Sequence, residues 1–309
     1  MRIIFMGTPD FAVPSLQHIA QSKHELVGVI SRPDKPQGRG QKMQPPPVKA
    51  AAEELGLTVP ILQPESLHDP DFHAQLKSLK PDLFAVVAFL ILPRSVLAIP
   101  ACGSVNVHPS LLPKYRGAAP IQWAIINGET ETGISIFKLS ARIDAGDLLL
   151  QEKVVIHPDE TAGELYERLK ILGAHLLVKT LDGMVNNTLI PTPQSNKGVT
   201  RAPKLEKEDG HINWTHPANA IRNRIRGVTP FPGAFAHWRG QILKIHQATL
   251  SVEQGNPGNI LQADPKLGIT VATGQGALIL NTVQPQGKKP MSGAEWVRGY
   301  QVAVGEILG

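Results

Sequence analysis

The sequence predicts an α/β protein in two parts, a Rossmann-like open sheet followed by a small OB-like β-barrel. Three observations carry this. The chain opens as strand, helix, strand: an apolar run Arg2–Met6, a turn Gly7-Thr8-Pro9-Asp10, a helix over Phe11–Gln21 with Phe11, Leu16 and Ile19 on one side, and a second strand Glu25–Ile30. That order predicts a parallel pair joined by a right-handed crossover. Asp82–Phe89 is a nearly continuous apolar run, the pattern of a strand buried on both faces. After residue 210 the pattern changes to short apolar runs separated by Gly and Pro, at Phe235–Trp238, Ile242–Ile245, Gly258–Gln262, Gly268–Ala272 and Ala277–Val283. Five short strands at this spacing read as a small barrel. Residues 191–210 are polar and contain proline without periodicity, which reads as a linker. The expected division is therefore 1–190, a linker 191–210, and 211–309.

Composition limits the function classes. With 309 residues, about two domains are expected. The single cysteine, Cys102, excludes an internal disulfide and a cysteine-based zinc site, and points to a reducing compartment. Asp10 follows the first strand too soon for a signal peptide. The longest apolar run, Leu83–Leu92, is about half the length of a membrane span. A soluble, cytoplasmic protein is the expectation. The net charge of +5 is unevenly placed, since residues 1–200 hold 19 basic and 19 acidic side chains and residues 201–309 hold 12 and 7. A basic end beside a neutral one fits a polyanionic partner, and equally a plain solubility bias.

The remaining elements follow in order. After the first strand the chain reads GTPDFA, with one glycine where a dinucleotide fingerprint needs three, so nicotinamide cofactor binding is rejected. Residues 32–49 carry five basic side chains and one acidic among prolines and glycines, a long loop that reads either as a solvated insertion or as a basic finger placing Lys35, Arg39 and Lys42 on nucleic-acid phosphates. Pro47–Leu55 is a helix closed by Gly56, and Ala118–Asn127 a helix closed by Gly128. Gly133–Leu139 and Leu148–Ile156 read as strands. Thr161 and Glu164 form a capping box for a long helix with Leu165, Leu169, Leu172, Leu176 and Leu177 inward. Ala218–Arg226 is a helix with Ile221 and Ile225 inward and Arg222 and Arg226 on a shared face, where a solvated surface is the competing explanation.

The segment Gly103–Asp147 carries the chemistry. Val105 and Val107 alternate with Asn106 and His108, so a strand shows an amide and an imidazole on one face. Pro109 ends it, a stiff loop Ser110–Gly117 follows, and Asp144-Ala145-Gly146-Asp147 is a turn with a carboxylate at each end. Asn106 can donate to a developing oxyanion, an effect worth about 3 kcal/mol in comparable sites. His108 can stabilise the same oxygen when charged and move protons when neutral, and Asp144 beside it would raise its pKa. No glycine-flanked serine elbow surrounds Ser110, and no H-E-x-x-H zinc pattern occurs, so neither a serine hydrolase nor a metal site is expected.

Asn106-x-His108, the run SLLPKYRG from Ser110 to Gly117, and Asp144 together resemble the folate-dependent formyltransferases, and the resemblance extends from Met1 to Gly309. Within that superfamily it is similar to the branch that formylates methionyl initiator tRNA. INW…IRNRIRG…PFPGA, from Ile212 to Ala234, matches that branch's C-terminal piece. The resemblance implies a Rossmann-like formyltransferase domain and an OB-like tRNA-binding domain. The implied reaction moves the formyl group of 10-formyltetrahydrofolate to the amine of methionyl initiator tRNA, without a metal. Asn106, His108 and Asp144 become the catalytic set. Ser110, Leu111, Leu112 and Pro113 contact the folate, and Phe89, Leu90 and Leu92 line the pterin pocket, in a segment lacking the glycine usual in that family. Lys35, Arg39 and Lys42 reach the acceptor stem, with Arg222 and Arg226 in the C-terminal tRNA-holding domain. A monomer is the expected state. Two enzyme readings stand beside it, a sugar-nucleotide amine formyltransferase and a hydrolase of the formyl carrier. A non-catalytic RNA-binding protein on the same fold is the third.

Overall fold

A computed structural model describes residues 1–37 and 41–309. Arg39, one of the expected basic contacts, lies outside the described residues. The chain divides into two compact units that it enters more than once. The first comprises 1–117, 132–154 and 166–202, the second 118–131, 155–165 and 203–309.

In the first unit, β1 (Arg2–Gly7), α1 (Val13–Ala20) and β2 (Glu25–Ile30) form the expected parallel opening. Two short antiparallel strands, β3 (Lys35–Gln37) and β4 (Lys42–Gln44), replace the expected irregular loop. Then come α2 (Pro47–Glu54), β5 (Ile61–Leu62), α3 (Pro70–Ser78), β6 (Leu83–Val87), α4 (Arg94–Leu97), β7 (Ser104–His108) and β8 (Arg116–Gly117). After α5 (Pro120–Ile126) in the second unit come β9 (Glu131–Lys138), β10 (Leu148–Val155), α6 (Ala162–Val185) and β11 (Arg201–Ala202). The seven-stranded sheet runs β10-β9-β7-β6-β1-β2-β5. β1 and β6 at its centre are apolar and almost wholly buried, as strands covered on both faces must be.

The sheet is mixed: β9 runs antiparallel to β7, with His108 opposite Ser135. An antiparallel neighbour needs no crossover helix over the sheet face, and none separates these two strands within the unit. The capping box at the start of α6 is present in both directions, Glu164 accepting from Thr161 N at 2.8 Å and donating its own N–H to Thr161 Oγ1 at 3.3 Å. Leu165, Leu169, Leu176 and Leu177 are buried as the periodicity requires, while Leu172 is half-exposed.

The second unit contains α7 (Ala218–Gly227), β12 (Ala234–Trp238), β13 (Gln241–Ser251), β14 (Ile260–Asp264), β15 (Gly268–Ala272), β16 (Ala277–Pro285), β17 (Met291–Ser292) and α8 (Gly293–Tyr300). All five expected strands form, in the order β12-β13-β16-β15-β14, with β17 added beside β16. Its core packs Trp214, Ile221, Ile225, Leu243, Ile245 and the fully buried Trp296. Among the described residues no helix is long and apolar enough to cross a membrane.

Candidate active site

Open α/β sheets place ligands beyond the carboxyl ends of their strands. Here β6 and β7 are parallel neighbours with Val87 opposite Val107, and β1 sets Gly7 opposite Val87. The segments leaving these strands, Thr8, Ala88–Leu92 and His108–Pro113, therefore emerge from one edge. Asn106 and His108 share a face of β7, two residues apart.

His108 is buried, with 4% of its surface exposed. Its Nε2 lies 2.9 Å from the carbonyl oxygen of Tyr115, which can only accept, so Nε2 carries a proton. Nδ1 faces Asp144 Oδ2 at 3.7 Å. Burial pushes the imidazole below its ordinary pKa, and the nearby Arg116 cation adds to the lowering. Asp144 and the Tyr115 carbonyl act the other way without overcoming the desolvation. Asp144 raises the pKa as the sequence suggests, but burial outweighs it, and the resting imidazole is neutral with its lone pair on Nδ1.

Asp144 is itself held by the backbone. Its Oδ2 accepts from Gly117 N at 2.9 Å, and its carbonyl accepts from Gln194 Nε2 at 3.0 Å. Asn106 differs from both. It is half-exposed, and among the described residues its amide forms no hydrogen bond. An amide left unpartnered beside an anchored imidazole is available to a ligand oxygen.

The loop after β7 is built from inside. Ser110 is fully buried, its hydroxyl donating to Lys114 O at 2.6 Å, and its carbonyl accepting from Ser135 Oγ at 2.5 Å. Leu112 is buried and receives Gln151 Nε2 on its carbonyl at 3.0 Å. Ser110 and Leu112 thus shape the loop, and Leu111 and Pro113 are its half-exposed residues. The segment after β6 divides similarly. Leu92 is buried in the core with Val96 and Phe72, Phe89 packs partly against that core, and Leu90 is 40% exposed with Ile91 at 74%. Ile91 is the more open apolar face in this segment.

The expected basic residues separate into two kinds. Lys35 and Lys42 are exposed on β3 and β4. Arg222 instead pairs with Asp159 and donates to Pro158 O, and Arg226 donates to Asn223 Oδ1 and Glu160 O, all within the second unit. Burial, and then the neighbouring Arg222 cation, lower the Arg226 pKa. Both guanidinium groups are engaged by oxygens of the second unit, which departs from a freely solvated helix face.

Several supporting groups were not foreseen. Tyr115 and Gly117 lie inside the quoted SLLPKYRG run, but their backbone roles leave no side-chain signal. Gln194 and Thr200 fall in the stretch read as a linker. Gln194 bonds Arg116, Asp144 and Gly146, and Thr200 accepts from Tyr115 N at 2.8 Å. Among the described residues there is no group of three or more His, Cys, Asp or Glu able to hold a metal ion.

A fold of this order, with an amide, an anchored imidazole and a carboxylate at the strand ends, is that of an acyl-transferring α/β enzyme. The formyl transferase family model matches residues 1–181, and the formyl transferase C-terminal domain model matches residues 204–301. The methionyl-tRNA formyltransferases of Alkaliphilus oremlandii, Moorella thermoacetica and Geobacter metallireducens are 47%, 46% and 45% identical, each across the whole of this chain and 99–100% of its own length. Among solved structures, a sugar 3N-formyl transferase in the presence of dTDP and 5-N-formyl-THF is similar over 94% of this chain and 99% of its own, with TM-score 0.69 and 21% identity. A methionyl-tRNA formyltransferase from Clostridium thermocellum is similar over 81% of this chain and 93% of its own, with TM-score 0.57 and 18% identity. At these identities the structures speak to the fold alone. The chain belongs to the formyl transferase family, in the branch of the methionyl-tRNA formyltransferases.

Proposed function

We propose that this chain transfers the formyl group of 10-formyltetrahydrofolate to the amine of methionyl initiator tRNA, acting as a monomer in the cytoplasm. The observation that carries the site assignment is the unpartnered Asn106 amide beside an imidazole fixed by Tyr115 and Asp144.

The folate co-substrate supplies an activated formyl group. The strand edge fits a flat heteroaromatic carrier: Leu90, Ile91, Leu111 and Pro113 offer apolar surface, and Thr8 Oγ1 just after β1 is buried without a partner among the described residues. Asn106 donates its amide N–H to the formyl oxygen as negative charge grows there. His108, neutral at rest, takes the proton of the attacking amine on Nδ1, while its Nε2–H remains on the Tyr115 carbonyl. Asp144 then faces a charged imidazolium and stabilises it, with the Gly117 N–H keeping that carboxylate in place. As the tetrahedral adduct collapses, the bond from the formyl carbon to N10 of the carrier breaks and the imidazolium gives its proton to N10, releasing tetrahydrofolate and neutral His108. The apolar loop side chains exclude water, which would otherwise take the formyl group. Lys35 and Lys42, with Arg39 between them in sequence, are the groups proposed for tRNA phosphates.

Formyl transfer from 10-formyltetrahydrofolate tests the reading directly, with methionyl initiator tRNA, uncharged tRNA and an amino-sugar nucleotide compared as acceptors. Formylation of the charged tRNA alone is the expected result. Formylation of the sugar alone would keep the chemistry and replace the acceptor. No transfer to any acceptor would remove the enzyme reading.

A further inference from the structure

The second unit presents an array of rings that the formyl-transfer site does not use. β12 alternates cleanly: Ala234, Ala236 and Trp238 are buried, while Phe235 is half-exposed and His237 exposed on the opposite face. His211, also exposed, joins this face through a bridge to Phe235, with Ile212 N donating to Phe235 O at 2.9 Å. The three rings touch one another, with centroids 5.2 Å apart for His211–Phe235, 5.5 Å for His211–His237 and 5.8 Å for Phe235–His237. In the sheet register Phe235 sits opposite Lys244, which is exposed. A transverse row of two rings and a cation therefore crosses two strands.

Exposed rings are rarely left together on a sheet face without a partner, and the chemistry of this row selects one. The rings are inclined 50–86° to one another, so a flat heterocycle stacks on the face of one while the others meet it edge-on, and the adjoining cation suits a phosphate one nucleotide away. Stacking rings interleaved with positive charge are how sheet platforms hold unpaired nucleotides. Charge complementarity agrees, because the excess basic charge of the chain lies in residues 201–309. Among the described residues Lys244 forms no ion pair that would neutralise it.

We infer that His211, Phe235 and His237 form a stacking platform for an unpaired base of an RNA, with Lys244 on the adjacent phosphate. This deepens the proposed function, since it rests on the reading that the chain handles a tRNA, and it names an attachment point remote in sequence from the formyl-transfer residues.

The test uses the full chain in wild-type form, with His211→Ala/His237→Ala, with His211→Phe/His237→Phe, and with Lys244→Gln. Affinity for methionyl initiator tRNA is measured across a salt series, alongside quenching of a short single-stranded RNA carrying 2-aminopurine. The alanine pair is expected to weaken affinity about 5- to 150-fold, the range for losing one stacked base, and to abolish quenching. The salt slope of the alanine pair stays as in wild type, and the phenylalanine pair restores both signals. Lys244→Gln lowers the slope by about one. Wild-type affinity and quenching in the alanine pair would overturn the platform. So would a phenylalanine pair that unfolds at the wild-type temperature yet binds as weakly as the alanine pair, because the histidines would then act by hydrogen bonding. If wild type binds no methionyl tRNA the proposed substrate falls, and the 2-aminopurine arm still decides the platform by itself.

Discussion

His108 Nδ1 stands 3.7 Å from Asp144 Oδ2, close enough to feel the carboxylate and too far for a hydrogen bond at rest. A buried imidazole in that position is neutral until it takes a proton, and the carboxylate then holds the charged form. In the proposed reaction the pair is therefore arranged for the product of proton transfer.

The first prediction concerns the pH profile. Asp144 raises the His108 pKa against the larger effect of burial. In Asp144→Asn that support is gone, so the acid limb of kcat moves to lower pH than in wild type. At neutral pH kcat drops about 10²-fold, at the lower end for proton-transfer catalysis, because the imidazolium is no longer stabilised. A kcat–pH series on both proteins checks it, and an acid limb that moves to higher pH would reverse the assignment.

Asn106→Ala should act on the chemical step alone. Loss of one oxyanion donor costs about 10²- to 10³-fold in kcat. Since the amide has no partner within the described residues, its removal leaves no unsatisfied group behind, and the melting temperature stays near wild type. Kinetics with thermal unfolding on the same preparation separate the two effects.

Much of this arrangement was legible in the sequence. Apolar runs located β1, β2 and β6 because a strand covered on both faces has no room for polar side chains. The alternation in Val105–His108 placed the amide and imidazole on one face. Two things were not legible. The charge state of His108 depends on burial, which no local pattern encodes, so the neighbouring carboxylate gave its own raising effect correctly but not the net shift. The contacts of Gln194 and Thr200 pair residues 50 and 85 positions from their partners, using side chains that look like ordinary linker polarity.

The basic residues should divide by experiment as they do by structure. Lys42→Gln removes an exposed cation on β4 and is expected to weaken tRNA binding and lower its salt slope by about one, with no change in melting temperature. Arg226→Gln breaks inward contacts to Asn223 and the Glu160 carbonyl, so it should lower thermal stability by about 1–2 kcal/mol. Its salt slope should match wild type. A slope change in Arg226→Gln with unaltered stability would return that residue to the tRNA surface.

Stability should also depend on pH through His24. Its side chain is 1% exposed and lies 3.2 Å from Asp182 on α6. Burial lowers its pKa despite that carboxylate. The unfolded chain thus binds a proton at a pH where the folded one does not, and stability falls as pH drops below the ordinary imidazole value of about 6.5. His108 adds to the same slope. Urea midpoints measured from pH 7.5 down to 5.5 should decline, and His24→Gln should flatten part of the decline.

Gly117 links fold to chemistry through its backbone. Its φ of +127° is a conformation that other residues avoid, and a Cβ there would lie 2.5 Å from the carbonyl oxygen of Ala202, its partner in the β8–β11 pairing. Gly117→Ala must therefore push β8 away from β11 and draw the Gly117 N–H off Asp144. The expected cost is about 1–3 kcal/mol of stability, together with a fall in kcat that resembles Asp144→Asn. Gly56 supplies the comparison, since it also has a positive φ, of +62°, but a Cβ there meets nothing within 4 Å. Gly56→Ala should lose about 1 kcal/mol and keep its kcat, because strain alone, without displacement of a carboxylate, has no route to the reacting groups. Equal kcat losses in the two variants would show that Gly117 matters only as a flexible joint.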